Sequence, residues 1–124
     1  MGTVGGNVAN GDPGNDMPGL MQCLDATFTL VGPDGSRDVA ARDFYQSAYV
    51  TERADDEILT RISFAVQSGG YAYEKQKRKI GDYATAAAAV QIAREGGFGD
   101  VKGEAGVHEY WSLAKEKGRL GYRR

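Results

Sequence analysis

Five residues near the start of the chain, Thr3-Val4-Gly5-Gly6-Asn7, are of types that bind rather than pack. Adjacent glycines lack β-carbons, so the backbone can take positive φ angles and approach a ligand closely. Successive N–H groups in such a turn can face one concavity, a nest suited to phosphate oxygens. Thr3 and Asn7 add a hydroxyl and an amide beside it. This pattern predicts an irregular loop over residues 3–7, next to Asp16; a plain glycine turn is the alternative. A second group is the basic run Lys75, Lys77, Arg78 and Lys79. On a strand Lys75, Lys77 and Lys79 share a face, and close like charges need an anion or solvent between them. A solvated edge strand explains the run equally well.

Other chemistries are excluded by residue type. His108 is the single histidine, so no His-based triad or His-rich metal site can be drawn. Cys23 is the single cysteine, which rules out an internal disulfide and an iron–sulphur cluster held by this chain. Asp55-Asp56-Glu57 lacks the spacing of a calcium loop. No Gly-Lys-Ser/Thr follows Gly5-Gly6, so this is not a Walker sequence.

With 124 residues, 41% of them hydrophobic and 26% charged, the composition is that of a globular domain. A net charge of -2 argues against general nucleic-acid binding. No apolar run is long enough to span a bilayer. A lone thiol suits a reducing compartment, and no signal segment opens the chain, so a cytoplasmic location is expected.

The elements that would position these residues follow from pattern. Asp16 as N-cap, Pro18 in the first turn, and Leu20, Met21 and Leu24 at helical spacing predict a helix over 17–24. Met17, Met21 and Cys23 read as core filler. Residues 26–31 alternate and are rich in strand formers; Gly32-Pro33-Asp34-Gly35 is a turn signal; 37–40 pair back as a hairpin with Phe28 and Leu30 on one face. A strand over 59–64, with Ile58, Ile62 and Phe64 on its apolar side, and another over 71–77 follow. Residues 49–56 read as polar surface. The alanine run within 83–94 reads as helix on propensity. Residues 108–117 fit a short amphipathic helix, and the tail 118–124 reads as unstructured.

The order of motifs resembles the flavin-binding medium subunit of molybdenum hydroxylases, and is most similar to that of aerobic carbon monoxide dehydrogenases. It is carried by Thr3-Val4-Gly5-Gly6-Asn7, Asp12-Pro13, Asp16-Met17-Pro18, Asp43-Phe44, Asp56-Glu57-Ile58-Leu59 and the stretch Tyr73-Glu74-Lys75-Gln76-Lys77-Arg78-Lys79-Ile80-Gly81-Asp82-Tyr83-Ala84. Six motifs in order, from Gly2 to about Ile92, make the resemblance specific; beyond Ala93 it ends.

The resemblance implies an α+β fold. Residues 1–66 would be the C-terminal part of a PCMH-type FAD-binding domain, and 67–92 the start of the carbon monoxide dehydrogenase flavoprotein C-terminal domain. Residues 93–124 would be a divergent, poorly ordered tail. It places Asp43-Phe44 in a short helical turn after the hairpin, and uses the segment of the alanine run as a strand. The implied cofactor is FAD, with Thr3, Val4, Gly5, Gly6 and Asn7 at its pyrophosphate. By the same resemblance Asp16 makes a polar contact to the flavin, the Leu59 backbone reaches its ring, and Tyr83 lies close to the isoalloxazine. Lys75 or Lys77 near the flavin would stabilise an anionic reduced form.

In the family, electrons leave substrate at a molybdenum cofactor in the large subunit, cross the 2Fe–2S clusters of the small subunit, and reach an acceptor through the flavin. Both subunits are therefore implied partners, with no nucleic acid and no membrane span. The family's first glycine-rich flavin loop has no counterpart here, so a fragment with weak flavin affinity is expected. The alternative is a non-enzymatic interaction module that retains part of the flavin-domain scaffold.

Overall fold

A computed structural model of the chain describes residues 2–66, 69–94 and 101–108. Helix α1 (Val4–Asn10) opens the chain, so residues 3–7 are not the irregular loop that their glycines predict. The reason is capping. Thr3 accepts the Gly6 N–H on its hydroxyl at 3.0 Å, its carbonyl accepts the Asn7 N–H at 2.9 Å, and Gly11 closes the far end with φ 62°. A capping hydroxyl and a left-handed C-terminal glycine offset the poor helix propensity of two glycines. Val8, fully buried, anchors the turn.

Helix α2 (Asp16–Cys23) lies where expected, but its N-cap is Asn15 and Asp16 is its first helical residue. Its Met21 is buried in the core and Met17 packs against it, as filler residues should. Strands β1 (Thr27–Gly32) and β2 (Gly35–Ala40) form the expected hairpin, in register from Thr27 opposite Ala40 to Gly32 opposite Gly35. Gly35 takes φ 119°, which a side chain would resist. Phe28 and Leu30 share the inner face and are fully buried.

Helix α3 (Ala41–Phe44) is the short turn around Asp43-Phe44. Strands β3 (Tyr45–Ser47) and β4 (Val50–Thr51) then pair in a stretch whose second half reads as plain polar surface. Strand β5 (Ile58–Ser63) pairs antiparallel with β1, giving the sheet order β2-β1-β5. Its inner face differs from simple alternation. The register shifts between Thr29 and Leu30, so Leu59 and Ile62 both pack inward while Ile58 is 70% and Phe64 52% exposed. A bulge adds one residue and brings positions three apart to the same face. The core is completed by an aromatic trio: Phe28 meets Phe44 edge-on at 4.9 Å, and Phe44 meets Tyr45 at 5.1 Å.

A second sheet has the order β6-β7-β8, made of β6 (Gly70–Gln76), β7 (Ala86–Arg94) and β8 (Val101–His108), all antiparallel. The alanine run is therefore strand, not helix. Alanine's preference is local and weak, whereas β7 pairs on both edges and packs against α2, whose approach small side chains permit. Ala89 is 2% exposed. Strand β8 begins past the point where the motifs end, and it closes on His108, where the pattern predicts the start of a helix. Residues 109–124, with the rest of that helix and the tail, lie outside the described residues.

Candidate functional site

Asp16 joins helix α2 to the second sheet. Tyr73 and Lys75 are two apart on β6, so their side chains share a face, and that face meets the N-terminus of α2. Tyr73 donates its hydroxyl to Asp16 Oδ1 at 2.7 Å, and Lys75 Nζ lies 3.0 Å from both carboxylate oxygens. Partial burial pulls the Asp16 carboxyl up. The Tyr73 and Lys75 hydrogen bonds, with the charges of Lys75 and Lys77, outweigh it and hold the group below its ordinary range. Burial and the bond to Asp16 push the Tyr73 phenol up, keeping it a donor.

The like-charge question over the basic run is settled by this carboxylate. Lys75 pairs with Asp16 and the charge of Lys77 acts on it from further off, while Lys79 lies past the end of β6 in a turn, its carbonyl accepting the Asp82 N–H at 3.2 Å. Tyr73 has no functional reading in the sequence, although its two-residue spacing from Lys75 could supply one.

At the N-terminus of α1 the Gly6 and Asn7 N–H groups are taken by Thr3, which leaves those of Val4 and Gly5 without an intrahelical acceptor. A β-carbon on Gly6 would meet Thr3 Oγ1 at 3.0 Å, so this glycine serves the cap. One on Gly5 would meet nothing within 4 Å, so the space over it is open. The Asn7 amide oxygen accepts the Met17 N–H at 3.3 Å and ties α1 to α2. Leu59 faces the core.

A cleft of about 540 Å³ lies beyond the start of α2, lined by Pro13, Gly14 and Asn15 and by Arg78, Asp82 and Tyr83. Tyr83 is 66% exposed. Asp12, 9% exposed, accepts the Gly14 N–H at 2.9 Å in the turn leading to α2. The structure thus brings Asp16, Tyr73 and Lys75 together, sets Tyr83 on the cleft, and gives Thr3 and Asn7 internal bonds. Among the described residues no group of acidic, His or Cys side chains could hold a metal. No described helix is long and apolar enough to cross a membrane.

Residues 1–65 match the model of the FAD binding domain in molybdopterin dehydrogenase. The chain belongs to this family. It is 65% identical over 99 residues to the carbon monoxide dehydrogenase medium chain of Afipia carboxidovorans, an alignment covering 78% of this chain and 34% of that one. Against the glyceraldehyde dehydrogenase medium chain of Sulfolobus acidocaldarius identity is 37% over 126 residues, covering 98% of this chain and 45% of the relative. Similarity therefore continues past Ala93, and the expectation that it stops there is corrected.

A crystal structure of the Cu,Mo-CO dehydrogenase in its cyanide-inactivated form superposes with a TM-score of 0.81 at 58% identity, over 87% of this chain and 38% of that one. The α+β fold of this FAD-binding family is thus present, in a chain spanning between about a third and a half of the relatives' length.

Proposed function

We propose that this chain is the part of a molybdenum hydroxylase medium subunit that binds FAD and passes electrons from the 2Fe–2S clusters of a small subunit to an acceptor. Substrate would be oxidised at the molybdenum cofactor of a large subunit, as in the carbon monoxide dehydrogenases it resembles. A cytoplasmic location is part of this proposal, and the lone buried thiol of Cys23 suits it. So is a division near residue 66, where the match to the FAD-domain model and the first sheet both end.

The observation that carries the reading is the family match over 1–65 together with donor groups of the right chemistry. The N–H groups of Val4 and Gly5, which have no intrahelical acceptor, suit a pyrophosphate oxygen. The open space above Gly5 admits close approach of a phosphate. Tyr83 presents an exposed aromatic face to the cleft, suited to a planar ring. When bound, FAD supplies the redox chemistry, and the residues here bind, orient and tune it. Asp16 and Lys75 neutralise each other, so Lys77 is the better placed of the two lysines to act on a reduced flavin's charge.

The test is titration with FAD, followed by flavin fluorescence. Weak saturable binding is expected for the chain by itself. Binding should tighten at least about tenfold when the upstream part of the Afipia carboxidovorans medium chain is supplied separately. No saturable binding under either condition contradicts the reading.

A further inference from the structure

We propose that Gly14 and Asp12 are positioning residues for Tyr83, fixing its ring on the wall of the cleft; the link to flavin rests on the function proposed above. A β-carbon added at Gly14 would lie 2.9 Å from Tyr83 Cδ1 and 3.3 Å from Tyr83 Cβ, too close for either to stay in place. Gly14 does not have a positive φ, so the backbone itself does not demand glycine. The demand comes first from the tyrosine ring and then from Asp12 Oδ1, 3.3 Å from the same position. Gly11 differs, since it is held by its own φ of 62° and by Thr51.

Asp12 sets the height of the turn on which the ring rests. Its Oδ1 accepts the Gly14 N–H at 2.9 Å, and its carbonyl accepts the Asn15 N–H at 3.1 Å, fixing Gly14 directly before the N-cap of α2. Tyr49 lies near this carboxylate, whose charge pushes its phenol up. Tyr49 donates its backbone N–H to the Gly11 carbonyl at 2.8 Å and holds φ 60°. A non-glycine residue in that region is an unfavourable conformation, kept when its surroundings over-determine it. With Tyr83 otherwise two-thirds exposed, a turn braced in this way decides where one face of the ring lies.

The test uses the full chain with carbon-labelled tyrosine rings, the Tyr83 signal being assigned through Tyr83→Phe. A nuclear Overhauser contact between the Gly14 Hα and Tyr83 Hδ protons is expected. Gly14→Ala should move the Tyr83 ring signal and leave those of Tyr45 and Tyr73 in place. Absence of the contact, or an unmoved Tyr83 signal, overturns the proposal. Should Gly14→Ala unfold the chain, Asp12→Ala takes its place and should move the same signal, with Asp12→Asn restoring it through its remaining carbonyl oxygen.

The flavin link is read from a double-variant cycle. Gly14→Ala should weaken FAD binding by about tenfold when Tyr83 is present and leave it unchanged in a Tyr83→Ala background. An equal loss in both backgrounds shows that Gly14 does not act through Tyr83. A chain that binds no FAD but shows the ring shift overturns the function and supports the positioning.

Discussion

Two three-stranded antiparallel sheets share helix α2, and different forces hold them to it. The first sheet faces a core of its own: Phe28, Leu30, Phe44 and Val8 are fully buried, and Met21 of α2 joins them. The second offers alanines. Of its described side chains only Ala89 is buried, while Tyr71 is 89% exposed and Ile92 42%. What joins β6 to the helix is the polar cluster of Asp16, Tyr73 and Lys75. Apolar burial is non-directional and scales with area, so it makes a stable platform. A charged hydrogen-bonded joint is directional and pH-sensitive, so it sets alignment more than stability. The cleft lies between the turn before α2 and the segment joining β6 to β7.

The comparison can be broken most sharply in the core. Phe28→Ala removes a ring touching Phe44 and Tyr45 edge-on and should destabilise the chain by about 3–5 kcal/mol, enough to unfold a marginal domain. Denaturant titration followed by circular dichroism reads the effect. A loss under about 1 kcal/mol would mean that the first sheet is not held by this core.

A smaller effect is expected at the joint. Asp16→Asn keeps the size and loses the charge, and the pair is 39% and 27% exposed, so solvent screening limits the loss to about 1 kcal/mol. The change should be local, with hydrogen exchange faster in β6 and unaltered in β1. The pH dependence follows from sign. Asp16 has a carboxyl pKa lowered from 3.8, so its contribution is present above that value and is lost as pH falls through the depressed one. Acidification should therefore loosen β6 before β1. Loss of both at one pH would show a single cooperative unit.

The smallest effect is expected at Glu57. Arg37 holds it at 2.6 Å and 2.8 Å, and the Ala54 N–H donates to it. The Arg37 hydrogen bond, the Ala54 N–H and nearby positive charge lower this carboxyl from 4.5 to about 2, so the pair persists above the ordinary value and dissolves as pH falls toward the lower one. Arg37 is 43% exposed, so solvent screening keeps the contribution of the pair small. Glu57→Gln should leave the neutral-pH unfolding midpoint unchanged, and a clear drop would show that the surface network stabilises the hairpin.

Much of the fold is legible in the order of amino acids. The hairpin is readable because Thr27 to Val31 alternates and Gly32-Pro33-Asp34-Gly35 can only turn. Short-range features fail where distant residues decide. Ala86 to Ala89 are strand because β6 and β8 flank them. Leu59 rather than Ile58 faces inward because a bulge opposite Thr29 resets the alternation. Gly5-Gly6 sit in a helix because Thr3 caps it, a signal present in the sequence beside glycines that point elsewhere. In the candidate site Lys75, Lys77 and Asp16 can all be named from the resemblance. Their mutual neutralisation cannot, since it depends on residues 59 positions apart meeting in space.

The central claim is that FAD lies against both the N-terminus of α1 and the cleft wall carrying Tyr83. Nitrogen–proton correlation spectra of the full chain, recorded during addition of FAD, test it most directly. The amide signals of Val4, Gly5, Gly14 and Tyr83 should move together along one binding curve, while those of Phe28 and Thr29 in the core strand stay fixed. Movement confined to other residues, or none at saturating FAD, would contradict the account.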